Sequence, residues 1–127
     1  MNTPSELKYS KTHEWVKAEA DGSFLIGITD YAQDQLSSLV FINLPEEGAE
    51  ITEGEAFCDV ESVKAVSDVI APISGKILEV NEALADAPEM LNDDPYGAWI
   101  CRVESDGQGE LLSAEEYDAF CEEEGNA

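Results

Sequence analysis

The chain has 127 residues, enough for one domain with one hydrophobic core, and apolar residues make up 43% of it. Six lysine and arginine residues stand against 29 aspartate and glutamate residues, for a formal net charge of -23. This balance excludes a nucleic-acid binder, which needs a basic face, and disfavours anionic membrane surfaces. It favours basic or cationic partners, although a plain role in keeping the protein dissolved is the alternative explanation.

Cysteine usage and the N-terminal residues indicate a compartment. Cys58, Cys101 and Cys121 are widely spaced, without a Cys-x-x-Cys pair, which argues against a zinc site or a thioredoxin-like motif. Reduced cysteines acting as small apolar side chains fit a reducing compartment. There is no signal-peptide pattern, no Arg-rich transit pattern and no apolar run long enough to span a bilayer. We therefore expect a bacterial cytoplasmic protein, or a mitochondrial one only if a transit peptide has been removed.

Short apolar runs bounded by turn residues predict strands along most of the chain. Asp21-Gly22 between two such runs is a strong hairpin signal. The predicted strands cover residues 15–18, 24–28, 39–42, 56–62 and 66–71, a strand that ends near Val80, and residues 98–103. Residues 81–97 are predicted as a loop with one helical turn.

Two capping patterns predict helices. Asp30 with Gln33 resembles a capping box, so Asp30–Leu36 is predicted as a short helix. Ser113 with Glu116 predicts an amphipathic C-terminal helix that runs to about residue 123, with the acidic tail 122–127 frayed at its end. The fold class that follows is all-β: a flattened two-sheet sandwich or barrel with these two helices.

Lys64 lies between two predicted strands and therefore at the tip of a hairpin, as one of only five lysines in the chain. A lysine in that position can be acylated by a carrier cofactor, which removes its charge and extends it. The extended arm would reach roughly 13 Å from the backbone. For the segment Val63-Lys64-Ala65 taken alone, an ordinary solvated lysine is the alternative.

The segment Glu61–Asp68 closely resembles the lipoylation site of glycine cleavage system H proteins. The other blocks that match this family in the same order are His13–Val16, Gly27–Gln33, Leu39–Phe41, Leu44-Pro45, Gly54–Phe57, Ala71–Gly75, Val80–Leu84, Asp94–Gly97, Trp99 and Tyr117–Phe120. The resemblance covers about residues 7–123, which implies a single carrier domain over 1–127 with its core at about 7–123.

The resemblance implies a fold of the lipoyl and biotinyl carrier type and a covalent lipoyl group on Lys64. It also implies a monomeric, non-catalytic carrier. The lipoyl arm would accept the aminomethyl group of glycine at the P protein, a pyridoxal-phosphate glycine decarboxylase. It would deliver that group to the T protein, a tetrahydrofolate-dependent aminomethyltransferase, and be reoxidised by the L protein, dihydrolipoyl dehydrogenase. A lipoate-protein ligase or a lipoyl/octanoyl transferase would attach the group.

Four more residues receive roles through the resemblance. The loaded arm would fold back into a surface cleft, where Glu14 and Asp68 would face the cationic amine and Thr12 would add a hydroxyl. Charge-assisted contacts of this kind contribute about 1.5–3 kcal/mol each when shielded from water. Glu61 would help the lipoylating enzyme to recognise the hairpin; the alternative is that it only flanks the turn. Plain surface acids are the alternative for Glu14 and Asp68.

Trp15, Phe41 and Trp99 are expected in the core, and His13 is expected to be a satisfied surface histidine.

Several other functions remain as alternatives. A biotin carrier usually has methionines on both sides of its lysine, whereas Val63 and Ala65 flank Lys64 here. A lipoyl donor or carrier for another complex, such as a 2-oxoacid dehydrogenase, keeps the cofactor and changes the partner. An enzyme would need a nucleophile with a base, and the single His13 has no such neighbour in sequence. An acidic interaction module would leave Lys64 unmodified.

Overall fold

The computed structural model describes residues 3–107 and 109–125, which form two antiparallel sheets with helices at their edges. The elements are, in chain order, β1 (Lys8–Tyr9), β2 (Glu14–Ala18), β3 (Ser23–Ile28), α1 (Asp30–Leu36), β4 (Leu39–Asn43), β5 (Glu50–Ile51), β6 (Ala56–Ser62), β7 (Val66–Ile70), β8 (Gly75–Val80), α2 (Ala83–Asp86), α3 (Met90–Asp93), β9 (Cys101–Glu104) and α4 (Ala114–Gly125). The predicted all-β two-sheet fold with a short helix and a C-terminal helix is confirmed.

The two sheets face each other across one apolar core. The larger sheet has the strand order β1-β2-β3-β9-β8-β5, and the smaller sheet has the order β4-β6-β7. Alternate side chains of both sheets point inward, as the period of two in a strand requires. Fully buried members of the core include Ile26, Ile77 and Val103 from the larger sheet and Val60 and Val69 from the smaller one.

Some element bounds differ from the sequence predictions. Strands β1 and β5 were not predicted, because two residues are too few to show a period. The predicted loop 81–97 holds two short helices, α2 and α3, instead of one helical turn. The last strand begins at Cys101, not Ala98, since the Ala98 N–H donates to the carbonyl of Asp94 and still belongs to a turn (2.9 Å).

Both predicted helices are present, but only α4 has the N-terminal cap that was predicted. Helix α1 is capped by Thr29, not Asp30, because the Thr29 hydroxyl accepts from the N–H of Ala32 (3.1 Å). In α4 the predicted capping box is present: the Glu116 N–H donates to Ser113 Oγ (3.2 Å), and the Ser113 N–H donates to Glu116 Oε1 (2.9 Å). The helix includes residues 122–125 of the acidic tail, and residues 126–127 lie outside the described residues.

Helix α4 packs against the larger sheet through a second apolar cluster. The rings of Tyr9 and Tyr117 stack at 4.8 Å, next to the buried Trp15. The Trp15 ring lies so close to Gly27 that a Cβ there would stand 2.6 Å from it, and the indole N–H donates to the carbonyl of Pro95 (3.0 Å). These contacts fix the N-terminal end of β2, where the candidate site begins. Within the described residues, no helix has the length and apolar character needed to cross a membrane.

Candidate functional site

Lys64 stands at the exposed tip of the β6–β7 hairpin, where the sequence predicted it. Ser62 holds the turn, because its hydroxyl accepts from the N–H groups of Lys64 (3.3 Å) and Ala65 (3.1 Å). The Ser62 N–H also donates to the carbonyl of Ala65 (2.8 Å). Such side-chain-to-backbone bonds fix a tight turn. The lysine side chain therefore projects from an ordered backbone into solvent.

The tip also rests on a part of the chain that is distant in sequence. The Val63 N–H donates to the carbonyl of Ser38, in the turn that follows α1 (3.1 Å). Asn92 of α3 holds that turn: its amide donates to the Ser37 carbonyl (2.7 Å), and its Oδ1 accepts from the Leu39 N–H (2.9 Å). Sequence reasoning missed Asn92, because it lies in a segment predicted as a loop and no motif marks it.

A cleft of about 160 Å³ opens beside the hairpin, between α1, the start of β2 and strands β6 and β7. Its walls are mostly apolar, and its polar side chains include Glu14 and Ser67. The lining residues are Thr12, His13, Glu14, Ile28, Tyr31, Ala32, Gln35, Leu36, Val60, Ser67, Asp68 and Val69. The cleft thus brings together Thr12, Glu14 and Asp68, the three residues expected to dock a loaded arm.

Glu14 is a buried carboxyl group at the cleft, with 3% of its surface exposed. It accepts hydrogen bonds from the hydroxyls of Ser10 (2.8 Å) and Thr12 and from the Ile70 N–H (3.4 Å). Burial raises the pKa of Glu14 to about 7, while these hydrogen bonds act in the opposite direction. A carboxyl group in such surroundings can bind a cation that enters the cleft, since the ionised form gains a partner there.

The other two acids lie in less enclosed places. Asp68 is exposed at the rim of the cleft and pairs across the strands with Asp59, on the outer face of the smaller sheet. Glu61 is half-buried on the same outer face, in register with Val66. Asp68 and Glu14 therefore approach the cleft from different sides, and only Glu14 is enclosed.

The expected core aromatics differ in burial. Trp15 is buried and Trp99 is half-buried, but Phe41 is 48% exposed, so its prediction as a core residue was wrong. The reason is a register shift between Leu39 and Phe41, a β-bulge that turns Val40 and Phe41 both outward. A bulge leaves no clear signal in a run of apolar residues.

His13 has more partners than a surface histidine needs. Its backbone has a φ of 75°, its Nδ1 lies 2.7 Å from the Tyr117 hydroxyl, and its Nε2 lies 2.8 Å from the Glu124 carboxylate. The ring stacks on Tyr31 with centroids 4.6 Å apart. Burial lowers the pKa of His13, and the Glu124 carboxylate opposes that shift. The half-buried ring therefore ties α4 to the wall of the cleft.

The three cysteines are free thiols, as expected from their spacing. Cys101 and Cys121 are buried and Cys58 is half-buried. Burial raises the pKa of Cys101 to about 12 and also raises the pKa values of Cys58 and Cys121. None of these side chains lines the cleft.

Comparison with known proteins identifies similar sequences and a similar solved structure. The family model described as "Glycine cleavage H-protein" matches residues 7–124. A protein named glycine cleavage system H protein from Escherichia coli is 50% identical over 127 residues, which is 97% of this chain and 98% of that protein. One of the same name from Lachnoclostridium phytofermentans is 52% identical over 125 residues, 98% of each chain. The crystal structure of a glycine cleavage system H protein from Mycobacterium marinum has a TM-score of 0.86 and 44% identity, with 91% of this chain and 96% of that chain covered.

Proposed function

The chain belongs to the glycine cleavage H-protein family, so its role is that of the lipoyl carrier in glycine cleavage, and we propose that Lys64 bears the lipoyl group. The observation that carries this proposal is the position of Lys64, which is exposed at the tip of a hairpin held by Ser62 and Ser38. A rigid support lets an attaching enzyme recognise the lysine by shape, while the side chain stays free to react.

The cleft is the proposed docking site for the loaded arm. Lipoate supplies a disulfide that can take up the aminomethyl group of glycine. The residues present fit this group, since apolar walls suit a dithiolane ring and the buried Glu14 suits a cationic amine. Thr12 would orient the Glu14 carboxylate through its hydroxyl, and Asp68 would add negative charge at the rim. Enclosure by α1 and β7 would keep water away from the loaded group.

The finer assignments form part of the same proposal. The chain acts as a non-catalytic, monomeric carrier in a bacterial cytoplasm. Its partners are the P, T and L proteins, together with a lipoate-protein ligase or a lipoyl/octanoyl transferase. Glu61, three residues before Lys64 and half-buried on the outer face, is proposed as a recognition residue for the attaching enzyme. The net charge of -23 favours partners with basic surfaces, because long-range attraction speeds their association with this chain.

Intact mass after incubation with lipoate, ATP and a lipoate-protein ligase tests the carrier lysine. The Lys64 Nζ, once deprotonated, would form an amide with the acyl carbon of lipoyl adenylate, and AMP would leave. We expect one lipoyl adduct on the wild type and on Lys76→Arg, a matched control in β8, and none on Lys64→Arg. An unmodified wild type, with the ligase active on another acceptor, would contradict the proposal, as would an adduct on Lys64→Arg.

A further inference from the structure

Exposed apolar side chains are concentrated around Lys64. Among the described residues, the large apolar side chains with high exposure are Val40, Phe41, Val63, Val66, Leu78 and Met90. Four of these six belong to the Lys64 end of the smaller sheet: Val40 and Phe41 on β4, Val63 in the turn and Val66 at the start of β7. Single exposed apolar residues need no explanation, but a group on one surface marks an interaction site.

Strand register places Phe41 and Val66 on one face of the smaller sheet. Phe41 is paired with Glu61, and Glu61 is paired with Val66, so the three side chains stand in one row across β4, β6 and β7. The bulge in β4 adds Val40 to that face, and Val63 projects from the turn with 69% of its surface exposed. We call Val40, Phe41, Val63 and Val66 the apolar collar.

The same face carries acidic side chains in place of apolar ones in the next row of paired residues away from the tip. The next outward row consists of Asn43, Asp59 and Asp68, which are also paired across the three strands. Glu61 provides the carboxylate inside the collar itself. A complementary partner therefore has an apolar surface that covers the collar and basic side chains that face Glu61 and the acidic row.

The reach of the lysine decides which partner needs this surface. An unmodified lysine extends about 6 Å from its Cα, whereas the lipoylated arm extends roughly 13 Å from the backbone. An enzyme that attaches the group must bring its active site within the shorter distance, so its rim must lie on the residues around Lys64. Enzymes that receive the finished arm can stand about twice as far away.

We propose that the apolar collar is the docking surface for the lipoyl-attaching enzyme, whose active-site rim is apolar with a basic flank. This inference rests on the proposed function, since it assumes that Lys64 is the acceptor. Within the interface, we expect Phe41 to contribute most to binding, because it is the one aromatic side chain of the collar and aromatic side chains are frequent binding hot spots. The collar therefore determines how well the attaching enzyme selects this lysine.

The test compares the rate of lipoylation of collar variants with that of a matched control. Phe41→Thr and the isosteric Val66→Thr remove apolar surface and leave a β-branched side chain, which suits a strand. Leu78→Thr is the control, since Leu78 is 43% exposed on β8 of the other sheet. With intact mass as the readout, we expect the kcat/KM of the ligase to fall at least tenfold for Phe41→Thr, mainly through KM, and less than twofold for Leu78→Thr.

Two further measurements keep the interpretation clear. Thermal unfolding of each variant verifies the fold, and Val66→Thr stands in if Phe41→Thr does not fold. The fully lipoylated variants are then reduced by the L protein running in reverse, with NADH supplied as the two-electron reductant. The fold-loss in the rate of this reaction should be at least fivefold smaller than the fold-loss in lipoylation. Equal lipoylation of wild type and collar variants would overturn the inference, and so would an equal loss in both reactions. A wild type without any adduct at Lys64 would instead overturn the proposed function on which the inference rests.

Discussion

At the scale of single residues, Glu14 joins three parts of the molecule. It belongs to β2 of the larger sheet, it accepts from the Ile70 N–H of the smaller sheet, and it lines the cleft. The hydroxyls of Ser10 and Thr12 bind the same carboxyl group. A buried acid with these partners contributes to stability in a way that depends on pH.

Replacement of Glu14 by glutamine should remove a pH dependence of stability. The pKa of Glu14 is about 7 in the folded protein and 4.5 ordinarily, so between those values the folded state holds a proton that the unfolded state has released. The stabilisation that protonated Glu14 provides is therefore fully present below pH 4.5 and is lost as the pH rises through 7. Relative to Glu14→Gln, the wild type should lose about 3 kcal/mol of unfolding free energy across that window.

Urea unfolding of both proteins at pH 5, 6, 7 and 8 measures this difference. Glu55→Gln removes the same charge from an exposed position and controls for the change in net charge. A difference between wild type and Glu14→Gln that stays constant with pH, or that moves in favour of the wild type as pH rises, would count against a buried, proton-holding Glu14.

Candidate site residues could be proposed from the sequence where a residue lies in a segment with its own signal. The segment around Lys64 and the acid in His13-Glu14-Trp15 could be recognised, and the structure brings Glu14, Thr12 and Asp68 to one cleft. Ser10 could not be found this way, because a serine that orients a carboxylate resembles any other serine. Whether these residues dock an arm remains a prediction.

At the scale of elements, the hairpin that carries Lys64 depends on α3 as much as on its own strands. Asn92 fixes the turn before β4, and that turn supplies the Ser38 carbonyl to the Val63 N–H. Strands that form apolar runs on either side of a turn signal, such as β2 and β3 around Asp21-Gly22, could be predicted, but α3 could not. A helix of four residues has too short a pattern to be distinguished from a loop.

Asn92→Ala should loosen the hairpin tip. It removes the acceptor for the Leu39 N–H and the donor to the Ser37 carbonyl, which should cost about 1–3 kcal/mol of unfolding free energy. The Val63 N–H should exchange with solvent faster than the loss of global stability alone would cause. The exchange rate of the core amide of Ile26 should change only as much as the global stability does. Urea unfolding and amide hydrogen exchange measure the two effects.

Asn92→Asp is the matched variant, because it keeps an acceptor for the Leu39 N–H and loses the donors. The new carboxylate oxygen would face the Ser37 carbonyl oxygen in place of the amide donor, so Asn92→Asp should lose at least as much stability as Asn92→Ala. If exchange at Val63 followed the global stability alone in both variants, α3 would have no special part in supporting the tip.

At the scale of the whole molecule, like charges repel one another throughout the surface. The net charge of -23 belongs to a chain of only 127 residues. Within the described residues, the one arginine, Arg102, already faces Glu19, Asp21 and Glu79. Few cations are left to offset the remaining acids, so the folded state gathers negative charge that the unfolded chain can spread out.

Added sodium chloride should therefore stabilise the protein. The screening length falls from about 30 Å at 0.01 M salt to about 3 Å at 1 M, which weakens repulsion between distant carboxylates. The midpoint of urea unfolding should rise with salt at pH 8 and should rise less at pH 5, where more carboxyl groups are protonated. A midpoint that falls or stays constant as salt increases at pH 8 would contradict this account of the charge.

The burial of the cysteines has a consequence for sulfur chemistry. A carrier of a dithiol brings a reactive disulfide close to its own polypeptide, and only a thiolate attacks a disulfide. Burial keeps Cys58, Cys101 and Cys121 protonated, and none of them lines the cleft. These thiols therefore compete poorly for the disulfide of the cofactor that the chain is proposed to bear, and a mixed disulfide between the lipoyl arm and its own protein is disfavoured.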